Sequence, residues 1–221
     1  MKDIAILVPT RGRFKRLKEC YDSFLQLTEG LADFIIVTDH DEQELYDWCE
    51  NTEIINLPSP TIEDFVQKVN FAYDKLPKYK HYFVLSDDFI FQTPYESILL
   101  KQAGKQKYSM FYGDDTMQHE RIPTMQFISG NIPEKLGYIL FPQFKHLFCD
   151  VAFKVLGEKL GCLKYFPEII IEHRHYLKDA SLTDDSYLRS NSFERYKEDG
   201  FVFADWYVNF LEKELELLEN E

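Results

Sequence analysis

The sequence predicts an α/β protein: a central, mostly parallel mixed sheet flanked by helices. Two observations predict it. Four apolar runs of strand length alternate with helical patterns over the first 90 residues, the signature of a parallel sheet with crossover helices. One of those runs, His81-Tyr82-Phe83-Val84-Leu85, ends abruptly in Ser86-Asp87-Asp88. Carboxylates at the carboxyl end of a buried strand lie where open α/β sheets bind ligands. An ordinary polar turn would look the same, so this segment draws its weight from the rest of the chain.

The elements follow in order. Ile4–Val8 is a continuous apolar run that stops at the turn Pro9-Thr10-Arg11-Gly12-Arg13. Phe14, Leu17, Cys20, Tyr21, Phe24 and Leu25 then recur at helical spacing. Asp33–Asp39 reads as a second buried strand with a polar end, completing a right-handed β-α-β unit. A short helix is expected over Asp41–Glu50 and a third strand over Glu53–Leu57, with Pro58-Ser59-Pro60 breaking the chain. Thr61 and Asp64 form a capping-box variant ahead of a helix that carries Phe65, Val69, Ala72 and Tyr73 on one face.

The second half is less regular. A helix is expected over Ser97–Ala103, a strand over Tyr108–Tyr112, and then the polar loop Gly113-Asp114-Asp115-Thr116. Gly130, Pro133, Gly137 and Pro142 argue against long elements in residues 125–148, apart from Gly137–Phe141. A helix is expected over Asp150–Leu160, a last strand over Tyr165–Glu172, a polar loop over residues 173–200, and an amphipathic helix over Phe201–Leu218.

Bulk properties narrow the function. A chain of 221 residues with 45% hydrophobic residues can bury one sizeable core. Aromatics make up 16%, a load that can line an apolar or sugar-stacking cleft, although core packing accounts for most of it. A net charge of −13 argues against nonspecific nucleic-acid binding. Against that acidity, Arg11, Arg13, Lys15, Arg16 and Lys18 cluster just after the first strand, which points to an anionic small ligand. Cys20, Cys49, Cys149 and Cys162 show no metal spacing and read as free buried thiols. Met1-Lys2-Asp3 runs straight into a strand, and no apolar run reaches the length of a membrane span. A soluble, cytoplasmic protein is therefore expected.

Candidate site residues fall at strand ends. Thr10 and Arg11, after Pro9, can donate to a base or phosphate, or simply open a helix. Asp39 and Asp88 end parallel strands and should share one sheet edge. Asp150 reads as an N-cap, as a general base, or as both. His173 and His175 share a face in extended geometry and can join carboxylates around a cation. Such mixed Asp/His ligation suits Mn²⁺ or Mg²⁺ better than structural zinc. No GxGxxG or P-loop pattern is present.

Taken in order over residues 4–190, these pieces resemble a GT-A glycosyltransferase of the large inverting family 2 type. The resemblance implies a Rossmann-like GT-A fold in one domain over 1–221. Residues 1–90 would be the nucleotide-binding half, 91–200 the acceptor side and 201–221 a C-terminal helix. It implies a nucleoside diphosphate sugar donor, UDP-linked, contacted by Pro9, Thr10, Arg11, Asp39 and Asp87. The family's Asp-x-Asp reads Ser86-Asp87-Asp88 here, so its first carboxylate is absent and Asp88 becomes the metal candidate, with His173 or His175 completing the sphere. It casts Asp150 as the base that deprotonates an acceptor hydroxyl, with one displacement inverting the anomeric centre. The acceptor stays open: a glycan, a lipid-linked sugar, a protein or a hydroxylated nucleic-acid base. Two rivals remain. A nucleotidyltransferase shares the sheet and carboxylates but calls for a Gly-rich loop that Gly12 alone does not supply. A non-catalytic nucleotide-sugar-binding protein would tolerate the missing carboxylate.

Overall fold

A computed structural model describes residues 2–50, 52–60, 64–175, 177–180 and 183–220. Its first half follows the predicted alternation: β1 (Ile4–Pro9), α1 (Phe14–Leu27), β2 (Ala32–Asp39), α2 (Gln43–Cys49), β3 (Ile55–Ser59), α3 (Phe65–Lys75) and β4 (His81–Val84). The chain continues through β5 (Phe89–Phe91), α4 (Glu96–Ala103), β6 (Met110–Asp114), β7 (Gln126–Ser129), α5 (Asn131–Leu136), α6 (Cys149–Lys159), β8 (Leu163–His173), α7 (Asp185–Ser190), α8 (Phe193–Asn209) and α9 (Leu211–Glu219). The eight strands form one mixed sheet in the order β3-β2-β1-β4-β7-β6-β8-β5. β1 to β4 are mutually parallel, and β7 and β5 run against their neighbours.

Alternation along β1 shows why the strand is apolar throughout. Ala5 and Leu7 face one cluster built with Val66, Val69 and Ala72 of α3, Phe153 and Leu156 of α6, Trp206 of α8 and Leu215 and Leu218 of α9. Ile4, Ile6 and Val8 face the other, with Leu17, Cys20 and Phe24 of α1, Leu45 of α2 and Leu99 of α4. A sheet covered on both faces needs apolar residues at every position. All four cysteines are free and buried in these layers.

The register sets the functional edge. Leu7 lies opposite Ile35 on one side and Val84 on the other. The segments after β1, β2 and β4 therefore emerge together, carrying Thr10, Asp39 and Asp88. The turn after β1 needs a left-handed residue, supplied by Gly12 at φ +65°.

Several expectations are corrected. Pro58 and Ser59 belong to β3, opposite Thr38 and Asp39, rather than breaking the chain; β3 is an edge strand, where a missing N–H is tolerated. Residues 125–148 contain β7, a fully buried strand between β4 and β6, and α5, whereas Gly137–Phe141 forms no strand. β7 has only four residues, too few to show a period. Residues 173–200 contain α7 and the start of α8, capped by Asp184 and Ser192, which accept bonds from the Tyr187 and Arg195 N–H groups. Neither cap has Glu or Gln three residues on, the cue that marks a capping box. The C-terminal helical region divides into α8 and α9 at Phe210. Asp64 occupies the N-cap of α3 without a side-chain capping bond, and Thr61 lies outside the described residues.

A bulge in β8 completes the site. The register against β6 steps from Gly113–Phe166 to Asp114–Ile170. A Cβ at Gly113 would sit 2.4 Å from the Ile169 carbonyl oxygen, so only glycine fits at the step. Past the bulge, β8 pairs antiparallel with β5 and places His173 opposite Phe89, next to Asp88.

Candidate active site

Two adjoining cavities open at the carboxyl edge of β1, β2 and β4. The smaller, about 80 Å³, is walled in part by Pro9, Thr10, Arg11, Lys68, Asp87 and Arg189. The larger, about 270 Å³, is walled in part by Asp88, Gln126, Phe148, Asp150, His173 and His175. Arg13, Phe65, Ser86, His146 and Ser190 line both.

Behind Arg11 and Lys68 of the smaller cavity, Asp39 is fully buried, does not line the cavity, and is held from both sides. Arg11 bonds one carboxylate oxygen, while Lys68 Nζ (3.1 Å) and Ser59 Oγ (3.2 Å) approach the other. Lys68 also donates to the Thr10 carbonyl at 2.8 Å, tying the ends of β1 and β2 to α3. Burial lowers the Lys68 ammonium below its ordinary value against the pull of Asp39. Sequence reading passed over Lys68, though a visible signal existed: it sits within the apolar stripe Phe65, Val69, Ala72.

Asp87 and Asp88 are both buried but differ in state. Asp87 accepts from Thr10 Oγ1 at 2.7 Å and Arg13 at 3.1 Å. Burial, opposed by Arg13 and reinforced by Asp88, pushes its carboxyl up to about 6. For Asp88 burial pulls upward too, but bonds with His173, Ser86 and Tyr187 outweigh it and hold the group well below the usual carboxylate range. Asp88 is therefore the member of the pair that stays ionised to lower pH. Arg13, rather than Arg11, is the guanidinium at this pair. It lies 3.8 Å from Asp88, bonds Asp184 at 2.8 Å and rests over the Tyr187 ring at 4.2 Å. Tyr187 donates its one hydroxyl proton to Asp88, with the Arg174 carbonyl 3.2 Å from the same oxygen, so α7 covers the carboxylate.

His173 Nε2 stands 3.4 Å from Asp88 Oδ1, with its ring stacked on Phe89 at 4.4 Å. Its buried Nδ1 makes no hydrogen bond among the described residues and faces Asp115 Oδ2 at 4.0 Å. Asp115 is fixed by Thr124 Oγ1 and by the N–H groups of Met117, Gln118 and His119. The His175 ring is 5.0 Å from that of His173, and its Nδ1 accepts the Leu177 N–H at 3.3 Å. Among the described residues no three His, Cys, Asp or Glu side chains are grouped to hold a metal ion.

The donors present nevertheless fit a divalent ion with two protein ligands. Atoms 3.4 Å apart can both lie near 2.1 Å from one cation. Asp115 Oδ2 faces the His173 Nδ1 from 4.0 Å, beyond hydrogen-bond reach, on the side where an outer carboxylate would orient a ligating imidazole.

Asp150 is the second residue of α6, inside the helix rather than at its N-cap. Phe148 holds the N-cap position at φ +64°, and the Asp150 carboxylate accepts the Val151 N–H at 2.8 Å. Burial raises its carboxyl above the ordinary value. The preceding loop is fixed from α8: Asp199, 1% exposed, accepts the N–H groups of Lys145, His146 and Leu147 at 3.0, 3.0 and 2.7 Å. Asp199→Ala is expected to cost about 3 kcal/mol through lost charge-assisted bonds and unsatisfied donors. Urea unfolding measures it, and a loss below about 1 kcal/mol would mean that water replaces the carboxylate.

Neither a protein-family model nor a curated protein matches the sequence. Solved structures do match in shape. S. aureus TarS superposes with a TM-score of 0.61 at 11% identity, over 95% of this chain and 44% of that one. TarS 1-349 in complex with UDP gives 0.61 at 10%, over 95% and 73%. The mannosyltransferase PcManGT of Pyrobaculum calidifontis, in complex with GDP-Man and Mn²⁺, gives 0.61 at 10%, over 98% and 78%. The fold is a GT-A-like glycosyltransferase fold. The chain spans less than half the length of full TarS, and at 10–11% identity the likeness is one of fold. No helix among the described residues is long and apolar enough to cross a membrane.

Proposed function

We propose that this protein transfers a sugar from a nucleoside diphosphate sugar, UDP-linked, to an acceptor hydroxyl, with a divalent cation and inversion at the anomeric carbon. The observation that carries the reading is the pair of adjoining cavities, which share Arg13, Phe65, Ser86, His146 and Ser190. Arg11, Arg13, Lys68 and Arg189 converge on the smaller one in an otherwise acidic protein, while Asp88, His173 and Asp150 share the larger one. Cations suit a diphosphate, and carboxylates beyond it suit a cation site and a base.

In this reading the nucleoside lies against Pro9 and Thr10, and Asp39, buried beneath them, acts through Arg11, which it holds facing the phosphates. Asp87 clips the β4 end to Thr10 and Arg13. Asp88 and His173 would hold Mn²⁺ or Mg²⁺, which offsets charge on the departing diphosphate when bound. Asp150 takes the proton of the attacking hydroxyl on the far side of the sugar. A single displacement then requires no covalent nucleophile.

Nucleotide release from UDP- and GDP-sugars, with and without Mn²⁺, tests the reading. Pyrophosphate release from a nucleoside triphosphate and a sugar phosphate would favour nucleotidyl transfer instead, and nucleotide binding without release would favour a binding protein. Arg11→Ala is expected to raise the donor KM roughly tenfold by removing a charge-assisted phosphate contact. A lowered melting temperature with an unchanged donor KM would assign Arg11 a purely structural role.

A further inference from the structure

We infer that Gln126 and Phe148 form an acceptor subsite that takes a sugar ring, so that the acceptor hydroxyl belongs to a carbohydrate; this rests on the transferase reading above. Gln126 opens β7 opposite Val84, at the same sheet edge as Asp88. It is 4% exposed, lines the larger cavity, and its Oε1 has no hydrogen-bond partner among the described residues. A buried carbonyl oxygen left without a donor is costly, so native proteins rarely keep one unless a ligand or water satisfies it. A carboxamide both accepts and donates, which matches the adjacent hydroxyls of a sugar.

Phe148 supplies the second element. It stands at φ +64°, a left-handed conformation that a bulky side chain adopts only when its surroundings enforce it, and such residues cluster at ligand sites. Its ring packs on Tyr196 at 5.0 Å and Phe203 at 5.7 Å from α8, while Phe148 lines the cavity two residues before Asp150. An immobilised aromatic ring and a hydrogen-bonding amide lining one cavity suit the C–H face and the hydroxyl edge of a pyranose. A polyanionic acceptor is disfavoured by the net charge of −13 and by the apolar wall of Met117, Ile122 and Leu177. A purely aliphatic acceptor would leave Gln126 unsatisfied.

The test uses the full chain. Saturation-transfer NMR with methyl glycosides, in the presence of UDP and Mn²⁺, reads saccharide binding without turnover. Wild type is expected to show ring-proton saturation, Gln126→Leu to lose it, and Phe148→Ala to weaken it. Phe148→Trp should retain it, and Phe148→Gly, which suits the backbone conformation, guards against a folding artefact. In nucleotide-release assays with saccharide acceptors, Gln126→Leu should raise the acceptor KM roughly tenfold or more, with the donor KM moving less than about threefold. Absence of saturation transfer in wild type, equal signals in Gln126→Leu, or stimulation by lipid alcohols, hydroxyl-bearing peptides or hydroxylated nucleosides alone would overturn the proposal. Saccharide binding without nucleotide release from any donor would uphold the subsite while sinking the transferase reading.

Discussion

Asp88→Asn is expected to abolish metal-dependent nucleotide binding while leaving the protein folded. Asp88 is 3% exposed and ionised, and it faces His173 Nε2 at 3.4 Å. Asn keeps the shape: its oxygen accepts from Ser86, and its N–H can donate to the Tyr187 hydroxyl, whose own proton then goes to the Arg174 carbonyl, so the buried site loses charge rather than packing. The loss of the ligand's charge should exceed the roughly 10–100-fold that removal of an outer-shell partner costs in metal affinity. Calorimetry with UDP and Mn²⁺ measures it, and a thermal melt confirms the fold. Undiminished binding would remove Asp88 from the metal site and leave the cation to the phosphates alone.

Asp150→Asn is expected to cut turnover by roughly two to four orders of magnitude, the usual contribution of acid–base catalysis. Helix capping cannot account for such a loss, because Phe148 holds the N-cap position and Asn would preserve the local backbone. Donor affinity should hardly change, since the residue lines the larger, acceptor-side cavity. The pH profile adds a second readout. A base works only when ionised, and burial raises this carboxyl. Turnover should therefore fall as pH drops through a pKa above the ordinary Asp value of about 3.9. That acidic limb should vanish in Asp150→Asn. A limb that persists near pH 6 would instead report Asp87, whose carboxyl is pushed up to about 6. Near-normal turnover in the variant would sink the base assignment; Glu134, which lines a separate cavity beside Tyr79 and Ser129, could not take its place.

The legible part of the site is the part built from consecutive residues. Asp39 and Asp88 announce themselves because each ends a buried strand in the parallel half, and parallel strands bring their ends to one edge. Gln126 gave no such signal, since β7 is too short for a period and is flanked by turn residues. Arg11 and Arg13 are both visible as one basic cluster, yet only the fold separates them. Arg11 turns to Asp39 and Arg13 to Asp87 and Asp184.

Residue order alone therefore carries the sheet-and-helix succession of the first 90 residues, the ligand-bearing edge and the candidate carboxylates on it. Periodicity and strand direction are local properties that neighbouring residues carry in full. Which charges meet depends on the packed fold. Arg13 and Asp184 bond across 171 positions, and Lys68 reaches Thr10 across 58. His173 arrives beside Asp88 because a glycine-dependent bulge turns β8 onto β5. Such pairings depend on how packed layers place separate segments in space, and no pattern of spacing along the chain encodes that distance.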